Sequence, residues 1–230
     1  MNLATQQALV EHFVAFISDH KKSRIEEVLD FRTKYLTVVL EDIYQPQNAS
    51  AIVRTCDIFG VQDLHIIENS NYYELNPEVV KGSSKWVSMH RYNTYENNTV
   101  ECLEKLKQNN YRILATSPSA DSLSINDVSL DDKTALVFGT EHTGVSDIVK
   151  DYADDLVTIP MFGFTESFNV SVSAALCLNA MITNLHQSEV DWKLSEDEKT
   201  SIRLDWLRNI VVNADMYEKR FFEQEGKTIG

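Results

Sequence analysis

Short apolar runs rich in β-branched residues recur along this chain, each separated from the next by a stretch long enough for a helix or a long loop. The runs are LTVVL (36–40), DLHII (63–67), WVSMH (86–90), YRILA (111–115), TALVF (134–138) and LVTI (156–159). Parallel neighbours in a sheet need crossovers of that length, so the alternation predicts an α/β fold with a mostly parallel sheet covered on both faces. Helices are expected over 47–59, 96–109 and 168–186, the last with Val170, Ala174, Leu178, Met181, Ile182 and Leu185 facing inward. Residues 5–31 and 196–224 read as two further long helices. The second carries Ile202, Trp206, Ile210, Asn213, Tyr217 and Phe221 in one stripe, and Ser195 with Glu198 suits a capping box at its start. The expected organisation is an N-terminal helical extension over 1–35, a core over 36–187 and a C-terminal helical extension over 188–230.

Composition removes several functional classes. The chain has 230 residues, with 21 Lys+Arg against 35 Asp+Glu and a net charge of -14. That balance argues against nonspecific coating of nucleic acid, which needs excess cationic charge. The charge is uneven, however. Residues 1–95 hold 9 Lys+Arg and 12 Asp+Glu, whereas residues 96–230 hold 12 and 23. Lys21, Lys22, Arg24, Arg32, Lys34, Lys81, Lys85 and Arg91 all lie in the first part, which leaves room for a local cationic face.

Seven glycines supply neither GxGxxG nor GxxxxGK[ST], so dinucleotide and P-loop readings lose their support. Three cysteines without CxxC spacing and six scattered histidines give no zinc pattern, and no metal is expected. The cysteines read as reduced thiols of a cytoplasmic protein. No apolar run approaches the roughly 18 residues of a membrane span, and the basic residues near the start follow the apolar stretch, the reverse of a secretory signal. Pro46, Pro118 and Pro160 each follow a predicted strand, at the edge where open α/β sheets bind ligands.

Three segments place polar residues where a buried core would not choose them. In NASAIVR (48–54), Asn48 and Arg54 sit on different faces of a helix; alone, the segment reads as a helix cap with a solvated arginine. In VFGTEHTGVS (137–146), a strand ends at Gly139, where close backbone approach is allowed, and Glu141 stands in the turn before a helix. In IPMFGFTESFNVSVS (159–173), a strand runs through a loop into a helix with a polar first turn, suited to an anion or simply to capping.

Together and in this order, NxSAIVR, FGTExxGxS and IPMxGxxESFNVSVSAAL resemble the three motifs of the SpoU/TrmH branch of the SPOUT RNA 2'-O-methyltransferases. Within that branch the chain is most similar to the bacterial tRNA (guanosine-18) 2'-O-methyltransferases. The resemblance covers about residues 36–186, includes GSSKWV (82–87), and departs at Thr140, where the second motif commonly has Asn.

The resemblance implies a sheet whose C-terminal part forms a deep trefoil knot, a homodimer, and S-adenosylmethionine as methyl donor. Thr116, Gly139, Ile159 and Phe168 would hold the donor. The reaction implied is attack of a ribose 2'-hydroxyl on the sulfonium methyl, with tRNA, at guanosine 18 of the D-loop, as substrate. Arg54, Asn48, Glu141, Ser167 and Asn169 would be the catalytic set. The family assigns Arg54 the role of base, although a guanidinium normally stays charged; binding an RNA phosphate and the developing alkoxide is the chemically easier role. Lys21, Lys22, Arg24, Arg32, Lys85 and Arg91 are the candidates for RNA contact, with the flanking helices helping to grip tRNA. The motifs leave open the same chemistry on ribosomal RNA or another tRNA nucleotide. They also leave open a non-catalytic RNA-binding protein on the same scaffold, although a degenerate site would have lost part of the set.

Overall fold

Among the described residues, seven strands form one sheet in which every pairing is parallel: β1 (Leu36–Glu41), β2 (Asp63–Ile67), β3 (Ser88–Tyr92), β4 (Arg112–Thr116), β5 (Leu123–Ser124), β6 (Thr134–Phe138) and β7 (Asp155–Thr158). The spatial order is β3-β2-β1-β6-β4-β7-β5. Helices α1 (Leu3–Val14) and α2 (Asp19–Leu29) precede the sheet. Helices α3 (Pro46–Ile58), α4 (Pro77–Val80), α5 (Thr99–Gln108), α6 (Asp147–Tyr152) and α7 (Val170–Gln187) connect or follow its strands, and α8 (Glu196–Ile210) and α9 (Ala214–Gln224) come last. This computed structural model describes residues 1–119 and 121–224. They fall into two compact units: Thr33–Trp192, which holds the sheet, and a helical unit joining Met1–Arg32 to the chain from Lys193 onward.

Alternation along the strands explains the layers. Leu36, Val38, Leu40, Leu114, Leu136 and Phe138 pack against Ile52, Val53 and Cys56 of α3 and Ala174, Leu178 and Met181 of α7. Their neighbours Val39, Ile113, Ala115, Ala135 and Val137 point the other way, onto Cys102, Leu103 and Leu106 of α5 and Val149 of α6. Central strands buried on both faces are what a helix-covered parallel sheet requires. All three cysteines are free and buried, and burial pushes the Cys102 and Cys177 thiols up to about 12.

The structure corrects the expectation in four places. The run at 86–90 pairs two residues later, as Ser88–Tyr92, because Ser83–Lys85 form a 3-10 turn that Trp86 closes. β5 was not anticipated; two residues are too few to carry a periodic pattern. The single helix expected over 5–31 is two, because Ser18 takes an extended conformation and its hydroxyl caps α2 at the Lys21 N–H. The helix expected over 196–224 is also two. Asn213 adopts the left-handed region (φ 60), so it forms the joint between α8 and α9 and leaves the stripe. The capping box at the start of α8 is present, with Ser195 and Glu198 bonding each other's backbone N–H.

Within the helical unit, Lys199 binds Asp30 (2.9 Å) and Arg203 binds Glu26 (2.7 and 2.5 Å), tying α8 to α2 and the residue after it. Arg32 is 1% exposed, with its guanidinium 5.2 Å from the Trp206 ring centroid. It therefore cannot reach an RNA phosphate, which corrects its place among the RNA candidates; adjacency to Lys34 in sequence gave no sign that its side chain turns inward. Removing a desolvated cation–π contact costs about 2 kcal/mol. Arg32→Ala is thus expected to lower the urea midpoint clearly, whereas Lys21→Ala, on the exposed face of α2, leaves it nearly unchanged. An unchanged midpoint for Arg32→Ala would put this side chain back in solvent.

The sheet unit carries a buried titratable group as well. His65 stacks on His90 at 4.8 Å and its Nδ1 lies 3.0 Å from the Tyr92 hydroxyl, while His90 meets Asp63 at 3.0 Å. Burial, with the neighbouring His90, pushes His65 down from 6.5 to about 4. The unfolded chain binds this proton near pH 6.5 and the native chain only near pH 4. The contribution is therefore fully present above pH 6.5 and is lost as pH falls to 4, at most about 3 kcal/mol. Urea titrations at stepped pH are expected to show that loss, and His65→Gln to flatten it.

Candidate active site

The ends of three adjacent strands open a cavity of about 310 Å³. Thr116 closes β4, Gly139 follows β6 and Ile159 follows β7, and these strands are neighbours in the sheet. All three line the cavity, as do Phe168, Glu141 and Ser167. Phe138, Val157, Met161, Val170 and Cys177 make its wall partly apolar, and His142 and Glu166, neither of them among the residues assigned a role from sequence, also face it. Thr116 is fixed by its hydroxyl, which donates to the Val137 carbonyl (3.0 Å).

One wall is a small hairpin, residues 139–144. Thr140 and Gly144 exchange two backbone hydrogen bonds, each 3.0 Å, and the Thr140 hydroxyl accepts from the Thr143 N–H. The two strands of this hairpin approach so closely that a Cβ on Gly139 would lie 2.1 Å from both the carbonyl carbon and oxygen of Gly144. Gly139 therefore permits a close backbone approach, and the backbone it admits is the chain's own. Gly144 meets a different need: it has open space around it but a φ of +69°.

Asn48 is the hub of the polar residues. It is 6% exposed at the start of α3, and its Nδ2 donates to the Glu141 carboxylate and, more weakly, to Gln45 Oε1 (3.3 Å). Its Oδ1 accepts from Asn169 Nδ2 (3.1 Å). The Asn169 Oδ1 in turn accepts from the Ser171 N–H (2.9 Å) and hydroxyl (2.6 Å), capping α7. Both asparagines use the donor and the acceptor end of the amide, which neither Asp nor Leu supplies. All three motifs thus meet through Asn48, Glu141 and Asn169. Ser167 sits two residues before that cap, in an exposed loop.

Arg54 stands apart from this network. It lies on the exposed face of α3, six residues beyond Asn48, and makes no hydrogen bond or ion pair among the described residues. Arg91 is engaged differently: its guanidinium forks onto Glu68 (2.9 and 2.7 Å), a carboxylate that also accepts from the Tyr73 N–H. Lys22 and Arg24 pair with Asp19 and Glu27 one turn away on α2, both at 2.9 Å, contacts that solvent weakens. Lys21 and Lys85 are exposed.

Sequence reasoning missed the supports beneath these residues. Glu41, the last residue of β1, is 4% exposed and accepts from the Ser146 N–H (2.8 Å), the Ser146 hydroxyl (2.7 Å) and the Thr99 hydroxyl (2.9 Å). A carboxylate directly after the apolar run Val38–Leu40 was the available signal.

The model of the SpoU rRNA Methylase family matches residues 35–179. The chain is 44% identical to the tRNA (guanosine(18)-2'-O)-methyltransferase of Borreliella burgdorferi, across 88% of this chain and 91% of that protein. A crystal structure of the A. aeolicus TrmH/SpoU tRNA modifying enzyme superposes with a TM-score of 0.76 at 32% identity, covering 85% of this chain and 98% of that one. The SpoU methyltransferase AviRb from Streptomyces viridochromogenes, solved in complex with AdoMet, shares the fold at 20% identity and a TM-score of 0.61, over 70% and 65% of the two chains. With a family match over more than half its length and a near-full-length relative, this chain belongs to the SpoU methylase family.

Proposed function

We propose that this protein transfers a methyl group from S-adenosylmethionine to a ribose 2'-hydroxyl of tRNA, at guanosine 18 in the D-loop. The observation that carries the reading is the meeting of Asn48, Glu141 and Asn169, one from each motif, beside a partly apolar cavity at the strand ends. The Borreliella relative's activity supports the choice of nucleotide.

The cavity suits the donor chemically. Phe168, Ile159 and Met161 offer apolar surface for an adenine ring, Thr116 and the hairpin backbone offer polar groups, and the Glu141 carboxylate suits a cationic sulfonium. When bound, S-adenosylmethionine supplies a methyl group activated by positive sulfur. The chain's part is to hold the ribose in line with it and to accommodate the charge that develops on the 2'-oxygen. Arg54 binds the neighbouring phosphate and that oxygen, a role open to a guanidinium with no internal ion pair. Asn48 fixes Glu141 and Asn169 relative to each other, and Ser167 and Asn169 position RNA and donor. Lys21, Lys22, Arg24 and Lys85 contact phosphates, and Arg91 does so only by leaving Glu68.

The same reading includes a trefoil knot in the C-terminal part of the sheet unit, a homodimer and a cytoplasmic location. Phe162 and Phe164 stand fully exposed, with Val172 and Leu176 half-exposed on α7, an apolar surface that a second copy would cover. Free cysteines suit the reducing cytoplasm. In domain terms, residues 36–187 are the methyltransferase, and the extensions 1–35 and 188–230 serve tRNA binding.

Labelled donor and unmodified tRNA transcripts, followed by mapping of the methylated nucleotide, test the proposal. Label is expected at guanosine 18. Arg54→Ala is expected to lower turnover by about 100-fold or more while donor affinity stays within about twofold. Gly139→Ala, by contrast, forces the hairpin open and is expected to abolish donor binding itself. Near-normal turnover in Arg54→Ala would refute the role given to this residue.

A further inference from the structure

Resting on that reading, we infer that Glu41 is a positioning residue for the methyl donor: its buried carboxylate fixes the hairpin that forms one wall of the cavity.

The strand geometry puts the carboxylate in place. β1 is the third strand of the sheet, and Leu40 pairs with Phe138, so Glu41 lies one step further along, level with the start of the hairpin. Alternation turns Glu41 to the same side as Val39, toward α5 and α6. Its own backbone is fixed on the far side too. Asp42 is left-handed (φ 58), and its carboxylate accepts from the N–H groups of Asn69, Ser70 and Asn71 at 2.8–3.0 Å.

The three donors on Glu41 divide into two kinds. The Ser146 N–H and hydroxyl belong to the segment leaving the hairpin, where Ser146 also caps α6. The Thr99 hydroxyl belongs to the start of α5 and has no part in the cavity; it also accepts from Asn69 Nδ2 (3.0 Å). No cation pairs with Glu41 among the described residues, so these donors alone hold a buried carboxylate. A group with such a desolvation cost is a firm anchor only while all its donors stay in place. The Gly139–Gly144 contact closes the hairpin at its base, and just beyond its exit Glu41 grips the chain at Ser146. The grip matters for binding because Gly139, Thr140, Glu141, His142, Thr143 and Gly144 all line the cavity.

Glu41→Gln separates positioning from stability. An amide of the same shape can accept from the Ser146 and Thr99 hydroxyls through its oxygen but opposes the Ser146 N–H with its NH₂ group. Titration calorimetry with S-adenosylmethionine is expected to show donor affinity about tenfold weaker, with KM for tRNA unchanged. Thr99→Val removes a bond to Glu41 of comparable strength that does not touch the hairpin, and donor affinity is expected to stay within about twofold. If Glu41→Gln does not fold cooperatively, Ser146→Ala serves instead, since it keeps the carboxylate and drops one of its two bonds to the segment leaving the hairpin. It is expected to weaken the donor about threefold. Equal loss in Glu41→Gln and Thr99→Val, or wild-type affinity in the folded Gln variant or in Ser146→Ala, would overturn the inference. A wild-type protein that binds no donor would overturn the methyltransferase reading, and this inference with it.

Discussion

The contact between Gly139 and Gly144 sets the terms for everything around it. Two backbones lie closer than any side chain tolerates, and the short hairpin they close turns Glu141 toward Asn48 and the cavity at once. Without that closure Glu141 would have no fixed position from which to accept the Asn48 amide, and the amide would lose the partner that orients it. Asn169 depends on the same amide from the other side, and through its cap it also defines where α7 begins. The polar centre is therefore a chain of mutual constraints that starts from a steric one, and hydrogen bonds transmit it across three segments far apart in sequence.

Electrostatics set Arg54 apart from several other cations of the sheet unit. Residues 33–192 hold 10 Lys+Arg against 22 Asp+Glu. Lys34, Arg91, Lys107, Arg112 and Lys150 each lie within ion-pair distance of a carboxylate. In so acidic a unit an arginine without an internal partner keeps its full attraction for an external phosphate. On the proposed function, the surrounding negative charge repels RNA elsewhere on the unit, which confines contact to few places and makes it fall steeply with salt.

How much of this was legible beforehand depends on whether the cause was local. The alternation of apolar runs and helices gave the parallel sheet, with DLHII and TALVF at their observed limits, because burial on both faces leaves a continuous pattern. Gly139, Ile159 and Phe168, which line the cavity, were named by the resemblance that the three motifs carry, whereas Thr116 lies outside those motifs and came from the resemblance alone. What depended on distant partners was hidden. Arg32 looks like its exposed basic neighbours until Trp206 is beside it. Asn213 fits a helical stripe by spacing alone, and only its left-handed φ shows that it lies in the joint between two helices. Glu41 needs Ser146 and Thr99, each tens of residues away, before its burial makes sense.

The order of the strands also dictates when the protein can assemble during synthesis. β1 sits between β2 and β6, so its second edge stays open until residues around Thr134 have left the ribosome, roughly a hundred residues later. The helical unit waits longer still, since α1 and α2 belong with α8 and α9, from the other end of the chain. Its apolar face, with Leu9, Phe13, Ile25 and Leu29, is made before the sheet and covered only after it. The apolar face of α1 and α2 thus stays uncovered while residues 33–192 are being synthesised, the kind of exposure that chaperones shield.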